Sequence, residues 1–562
     1  MSSVWDKSVD FLVVGSGAGG LLGATFAAVN HQETLVIEKS HLWGGTSATS
    51  GGAVWIPNSP VAIAAGAQDS PEDAFKYIRA LTADNVPDSQ VNAYVEHSPR
   101  MLQWVHENTP VRFISIPYTD YHAELPGGRE GYRTHLPLEF DGKLLGEDVQ
   151  TLRPASPAAS LLGRVNWKFT ETTALLYRPK GWTRTLATML MRYFGDIPQR
   201  LRSSKDRFLT LGNCLMGGMR YAHKNAGGEL WLNTRMLELV YENGRVTGAK
   251  VLKNGKELRI AARKGVLLST GGFERNPAMR AENLKGSPEP VRSGSQINNT
   301  GDSIVAGQAI GAAVANLDSA WWAPVWSVPG EDRGRLATIE RALPHCIIVD
   351  QTGHRFLNEA ASYHIVGGQI REHNLKTGAA YPSYFIFDAN YRWKYPAGPL
   401  LPMVPDWAHP ANVRANYKKA DSIDELAGKI GVSSAALKGT VDRFNTFAAQ
   451  GKDEDFGRGD ASYDKFYGDP RMQPNPSLGP IVKGPFYAMP IYPGDIGSNG
   501  GLIINENGQV MSESGTPIPG LYAAGNTSAS VMGRSYPGAG STLGPAMTFG
   551  YLAARHAAGI NS

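Results

Sequence analysis

An α/β fold centred on a Rossmann-like dinucleotide-binding domain is predicted by three observations. A glycine-rich loop joins an apolar strand to a helix near the N-terminus. A carboxylate closes the strand that follows. Further apolar strands running into glycines recur along the rest of the chain. At 562 residues the chain exceeds what one hydrophobic core usually holds, so two domains are expected, with room for an insertion. A net charge of +4 is too weak on this length to suggest nucleic acid. Two cysteines far apart, Cys214 and Cys346, exclude a disulfide framework and a zinc site, and fit a reducing compartment.

The first element is the strand Val9 to Val14, short, apolar and rich in β-branched residues. Gly15, Gly17 and Gly20 follow as GxGxxG, interleaved with Ser16, Ala18 and Gly19. The first glycine permits the tight turn, the second lets backbone approach a pyrophosphate, and the third lets helix pack on strand. The helix from about Ala18 to Asn30 aims its N-terminus at the phosphates. The next strand, Thr34 to Ile37, ends in Glu38, placed to bind a ribose hydroxyl. This motif alone does not separate NAD from FAD.

After Glu38 and Lys39, the run GGTSATSGG supplies Gly44, Gly45, Thr46, Ser47, Ser50, Gly51 and Gly52. Their small and hydroxyl side chains leave backbone and Oγ groups free to reach phosphate and a ribityl chain. A strand containing Met236 leads to a hairpin with Asn243-Gly244 at its turn. A buried strand, Val266 to Ser269, then runs into Thr270, Gly271 and Gly272, and Asp302 opens a helix of small residues. Near the chain end, GLYAAGN gives an apolar strand followed by Gly525 and Asn526. RSYPGAGSTLGPAMTFG follows, with Tyr536, Gly540, Ser541, Leu543 and Gly544 in a turn that starts a helix.

These motifs, in this order from about Val9 onward, resemble the flavoprotein superfamily of succinate dehydrogenase and fumarate reductase. The resemblance implies FAD, with the isoalloxazine ring near Gly540 to Gly544 and Gly525-Asn526 near the ribityl and phosphate groups. Many succinate dehydrogenases bind FAD covalently through a histidine in the segment matching GGTSATSGG. This segment has none, so non-covalent FAD is expected. Dicarboxylate members carry basic anchors after the NTGD helix, where this chain has Trp321, Trp322 and Trp326. As a cluster, these favour a large apolar substrate.

The stretches SVMGRSYPGAGSTLGPAMTFGYLAA, GGTSATSGGAVWIP and RFLNEAASYH narrow the resemblance to the 3-ketosteroid Δ1-dehydrogenases. It implies that Tyr536 and the Gly540 amide hold the C3 carbonyl. Tyr363 removes the C2 proton, and a hydride passes from C1 to flavin N5. The product of a 3-oxo-4-ene is then a 3-oxo-1,4-diene. A third tyrosine assists Tyr363; Tyr118 in ISIPYTDYHAE matches it, with Tyr121 the alternative. The related 3-oxo-5α-steroid 4-dehydrogenases share the FAD motifs, and a fumarate-reductase-like reaction is a more distant reading. The residues identify neither the electron acceptor, with which a quinone is compatible, nor an oligomeric state.

The resemblance divides the chain into an FAD-binding domain over 1–320 and 486–562, discontinuous in sequence, and an α+β catalytic domain over 321–485. Residues 126–212 are an addition to the minimal fold. Within it, Leu186, Leu190, Tyr193, Ile197 and Leu201 recur at helical spacing beside Arg184, Arg192, Arg200, Arg202, Lys205 and Arg207. A basic amphipathic helix of this kind can lie on an anionic membrane or pack on protein, and Pro198 kinks or ends it. No basic, apolar leader opens the chain, so a cytoplasmic protein is expected, with this helix as a means of peripheral contact with the inner membrane face.

Overall fold

The computed structural model describes residues 5–286 and 292–560. Its first sheet has a parallel centre. The strands Glu229–Trp231, Thr34–Ile37, Lys7–Val14, Lys256–Leu268 and Pro517–Ala523 lie side by side in that order. Val14 stands opposite both Ile37 and Leu268, and Leu268 opposite Ala523. Segments far apart in sequence therefore end at one carboxyl edge, where ligands of open α/β sheets bind. The C-terminal strand completes a sheet begun by the first residues, so the nucleotide-binding unit is discontinuous. The hairpin Thr234–Glu242 and Arg245–Lys253 extends antiparallel from the first half of Lys256–Leu268, turning at Asn243-Gly244.

Two helices cover this sheet, Ala18–Val29 and Leu543–Ala558. Both are rich in glycine and alanine, and the backbones approach closely: a Cβ on Gly550 would lie 2.1 Å from the Gly19 carbonyl oxygen. That approach fixes the last helix against the first, and with it the turn from which the last helix starts.

The second unit is an antiparallel sheet with helices beside it, an α+β arrangement. Its strands Ala320–Trp326, Phe486–Ser498, Ser383–Phe387 and Cys346–Val349 pair in that order. The long strand Phe486–Ser498 lies beyond residue 485, where the sequence placed the end of this domain, and Ala320 lies before 321. The helix Tyr363–Thr377 packs on the sheet through Gly367, whose Cβ would fall 2.4 Å from Ala323 N. Ser422 and Ser433 cap the helices Ile423–Ile430 and Ser434–Gln450, accepting from Glu425 N at 3.1 Å and Ala436 N at 3.3 Å.

Within 126–212, the strand Thr134–Pro137 pairs with Val54–Trp55 and Phe113–Ser115, so it belongs to the first unit. The projecting part begins at the pair Phe140–Asp141 with Phe208–Leu209 and carries the helices Phe169–Tyr177, Trp182–Gly195 and Ile197–Arg200. The amphipathic reading of this segment is corrected in detail. Tyr193 is buried with Met189 and Val165, whereas Ile197 and Leu201 are exposed. Several basic residues turn inward: Arg192 pairs with Glu171 at 2.8 Å, Arg207 pairs with Asp196, and Lys205 donates to the Leu152 carbonyl at 2.9 Å. The helix stops at Gly195, three residues before Pro198. No helix among the described residues is long and apolar enough to cross a membrane.

Candidate active site

A cavity of about 450 Å³ runs from the carboxyl edge of the parallel sheet to the face of the second unit. Gly15, at φ +101°, turns the chain where a Cβ would fall 2.2 Å from the Ser269 carbonyl oxygen. Ser16, Gly17, Ala18 and Gly19 line the cavity behind it. Glu38 accepts from Ser16 Oγ at 2.7 Å and from Ser40 N at 3.0 Å, which holds its carboxylate at the strand end. Ser47 Oγ accepts from Ala18 N at 3.1 Å and ties the GGTS segment to the first helix. Gly45, Thr46, Ser50, Gly51 and Gly52 also line the cavity.

On the facing wall are Met236, Thr270, Gly271, Gly525, Asn526 and Leu543. Lys39 and Asp302 are joined at 3.2 Å. Burial raises the Asp302 carboxyl, but Thr300 and Lys39 outweigh it and leave the group below its ordinary range.

Five predicted cofactor residues do not line the cavity. A Cβ on Gly20 would lie 2.5 Å from the Gly15 carbonyl oxygen, on Gly272 2.0 Å from Ser498 Oγ, and on Gly544 2.5 Å from Tyr94 Oη. All three serve packing. Gly44 donates its N–H to Ser16 Oγ at 2.9 Å, and Ser541 braces the Gly538 turn at 2.7 Å.

The glycine-rich C-terminal turn and the start of the helix Tyr363–Thr377 meet at the far end of the cavity. Ser362 caps that helix, accepting from Ile365 N at 3.5 Å, so Tyr363 is its first residue. The Tyr363 and Tyr536 rings are 5.3 Å apart and meet edge to face. Burial raises the Tyr536 phenol, and the Tyr363 hydroxyl, then the Thr542 hydroxyl and the Gly540 amide, work against that rise.

The two candidates for the third tyrosine are placed differently. Tyr121, not Tyr118, packs against Tyr363, at 5.6 Å, and stacks on Tyr536 at 5.5 Å. Tyr118 also lines the cavity but shares a 2.7 Å hydrogen bond with Tyr467. Burial pushes the Tyr363 phenol well above the usual tyrosine range, and Tyr536 adds to the rise; the Tyr121 hydroxyl opposes it.

Sequence reasoning did not raise Tyr463 and Tyr467, which also line the cavity. Their signal was the spacing of four residues in SYDKFY, which puts Tyr463 in the short helix Ser462–Phe466 and Tyr467 one turn on, at its C-terminal cap. Conversely, Trp321, Trp322 and Trp326 do not form a substrate cluster. Trp321 is buried against Tyr536 and donates to Asn526 at 3.0 Å, Trp322 lies under Arg371, and Trp326 packs on Phe385. The apolar wall comes instead from Ile116, Leu136, Leu336 and Ile339, and from Trp167 and Phe169 of the projecting segment. Among the described lining residues Lys39 is the one basic side chain, and none is arginine or histidine.

A family of FAD-binding domains matches residues 10–543. A curated relative, the 3-oxosteroid 1-dehydrogenase of Mycobacterium tuberculosis, is 38% identical over 98% of each chain. The 4-oxocyclohex-2-ene-1-carboxylate 5-dehydrogenase of Sinomonas cyclohexanicum is 36% identical over 98% of this chain and 94% of its own. The crystal structure of 3-ketosteroid Δ1-dehydrogenase from Sterolibacterium denitrificans, in complex with 1,4-androstadiene-3,17-dione, superposes with a TM-score of 0.94. It shares 42% identity and covers 99% of this chain and 100% of its own.

The residues present fit FAD. The Gly15 turn leaves room at the helix N-terminus, Glu38 is held at the strand end, and Thr270 Oγ1 is a buried hydroxyl on the cavity wall with no partner among the described residues.

Proposed function

The chain belongs to the family of 3-oxosteroid 1-dehydrogenases, an FAD-dependent group of oxidoreductases acting on CH–CH bonds, and on that premise we propose that it converts 3-oxo-4-ene steroids to 3-oxo-1,4-dienes. The observation that carries this reading is the meeting of Tyr536, the Gly540 amide and Tyr363 at the end of an apolar cavity that also holds the nucleotide loop. FAD, when bound, supplies the two-electron acceptor for the hydrogen removed from C1. The Gly15 loop, Glu38, Ser47 and Thr270 would hold it, and the absence of a histidine in the GGTSATSGG segment favours non-covalent binding.

The rest is done by the chain. The Tyr536 phenol and the Gly540 N–H donate to the C3 oxygen and stabilise the charge that develops there, which acidifies the C2–H. Tyr363 takes the C2 proton as phenolate. A buried phenolate is costly, and the Tyr121 hydroxyl is the neighbour that lowers that cost. Tyr121 therefore takes the assisting role in place of Tyr118.

The Sinomonas relative acts on a ring that carries a carboxylate. Binding that charge in an apolar cavity requires a cationic partner. Lys39, the one basic side chain among the described lining residues, is already paired with Asp302, so a neutral steroid fits better. The same argument weighs against a fumarate-like substrate. The test is turnover of a 3-oxo-4-ene steroid with an artificial electron acceptor. A product lighter by two hydrogens, with the spectrum of a 1,4-diene, is expected. Conversion of a 5α-saturated 3-ketosteroid to its 4-ene, with no reaction on the first substrate, would move the reading to the 4-dehydrogenases.

Membrane contact forms a second part of the proposal, resting on the projecting segment. Leu162, Met191, Phe194, Ile197 and Leu201 are between 62% and 83% exposed there. Trp167 and Phe169 of the same segment line the cavity, which supports entry of a water-insoluble substrate from a lipid surface. Co-sedimentation with phosphatidylcholine vesicles should fall in Met191→Ser/Phe194→Ser; unchanged binding would remove this part.

A further inference from the structure

Four arginines rank among the largest fully buried side chains: Arg133, Arg280, Arg341 and Arg458. Three have carboxylate partners, in Asp69 and Asp120, in Asp495, and in Glu359. Arg341 has none within 4.0 Å among the described residues. Its guanidinium donates instead to backbone carbonyls, those of Ala337 at 2.6 Å, Thr338 at 3.1 Å, Ala361 at 2.8 Å, and Glu359. A buried cation without a carboxylate is expensive, so its position calls for a reason.

Two observations supply one. Glu359 and Ala361 immediately precede Ser362 and Tyr363, so Arg341 clamps the backbone that delivers Tyr363 to the cavity. The phenols that face its charge are those of Tyr463 and Tyr121. Both hydroxyls are buried in the same cluster, and the rings pack at 4.7 Å, with Tyr121 in turn against Tyr363. The Glu340 carboxyl also faces this charge, and a cation beside buried phenols favours their anionic form.

We infer that Arg341 is a positioning residue for the base, fixing the loop before Tyr363 and supplying the buried positive charge that makes a phenolate tolerable in the Tyr363–Tyr121–Tyr463 group. The inference rests on Tyr363 being the base. Other charged and titratable groups face the same cluster. Glu340 and Asp464 are carboxyls raised by burial, and Arg458 donates to the Arg341 carbonyl at 3.1 Å. Tyr118 and Tyr536 flank Tyr121, and His364 lies against Tyr536 at 5.7 Å, with burial lowering it to about 4. Asn358 donates to Asp464 at 2.8 Å, so the loop before Tyr363 is also tied to the Tyr463 helix.

The experiment is the rate of flavin reduction by steroid, followed against pH in FAD-loaded wild-type enzyme, Arg341→Met and Arg341→Lys. In the methionine variant the rising limb should move up by one pH unit or more. The rate at neutral pH should fall about tenfold per unit and recover at high pH. The lysine variant, which keeps the charge, should hold the limb near its wild-type position. A methionine variant with an unmoved limb, or one slowed equally at every pH, overturns the charge role. If that variant does not load FAD, Arg341→Gln, which keeps donors for the Glu359 and Ala361 carbonyls, is read the same way. Tyr363→Phe runs alongside: undiminished reduction there would remove the base assignment itself, independently of Arg341.

Discussion

Gly540→Ala tests the carbonyl-binding turn most directly. Gly540 sits at φ +103°, and a Cβ there would come 2.5 Å from Trp55 N and 2.5 Å from the Val54 carbonyl carbon. The strand behind it cannot yield. Trp55 pairs with Thr134, its indole N–H donates to Asp120 at 2.7 Å, and Tyr94 donates to its carbonyl. A left-handed backbone costs a residue other than glycine about 1–2 kcal/mol, and forced over-packing adds roughly 1–3 kcal/mol. Together these predict a loss of about 2–5 kcal/mol, relieved in part by the turn moving off the strand. A displacement of about 1 Å in a group that positions the reacting atoms costs on the order of a hundredfold in rate. FAD should still bind, because the Gly15 loop is not touched. The assays are thermal melting of the FAD-loaded protein and kcat/KM for a 3-oxo-4-ene steroid. A variant that melts with the wild type and turns over within twofold of it would refute the reasoning, since the turn would then have slack that the geometry denies.

The assisting tyrosine is tested by a pair of variants. Tyr121→Phe should slow steroid-dependent flavin reduction at least tenfold at neutral pH, and Tyr118→Phe less than threefold; the reverse order would return the role to Tyr118. Burial outweighs the Arg133 pair and lifts the Asp120 carboxyl to about 6. Between about pH 4 and 6 the native chain keeps a proton there that the unfolded chain has released, so this group's contribution to stability falls as pH rises through that window. Urea titrations should show a flatter pH slope over that range in Asp120→Asn, and an unchanged slope would dismiss the raised value. Acid precipitation should leave the flavin in the supernatant, whereas yellow colour in the washed pellet would mean a covalent bond.

The nucleotide-binding half was legible because its signals are local. Gly15, Gly17 and Gly20 between a β-branched strand and a small-residue helix, with Glu38 on schedule, constrain the backbone within some thirty residues. The hairpin at Asn243-Gly244 and the caps at Ser422 and Ser433 are of the same kind. What depends on tertiary placement was not legible. Tyr118 and Tyr121 are three residues apart, and only the fold decides which ring meets Tyr363. The tryptophans of SAWWAPVW read as one cluster, but strand alternation sends Trp321 and Trp322 to opposite faces, and Trp326 joins a different core. In the segment 184–207, helical periodicity marked an apolar stripe, but its arginines found partners in distant acids such as Glu171, which no spacing rule anticipates.

The placement of Pro517–Ala523 beside Lys256–Leu268 bears on how this protein is made. During synthesis, the strand Lys256–Leu268 emerges with one edge unpaired and waits for some 250 further residues before its neighbour exists. An apolar strand edge left open that long is a template for pairing with other chains. The helix that closes over the first glycine loop comes later still, from Leu543 onward. A ribosome stalled before Leu543 would thus release a chain with its opening motif intact and its nucleotide site unfinished.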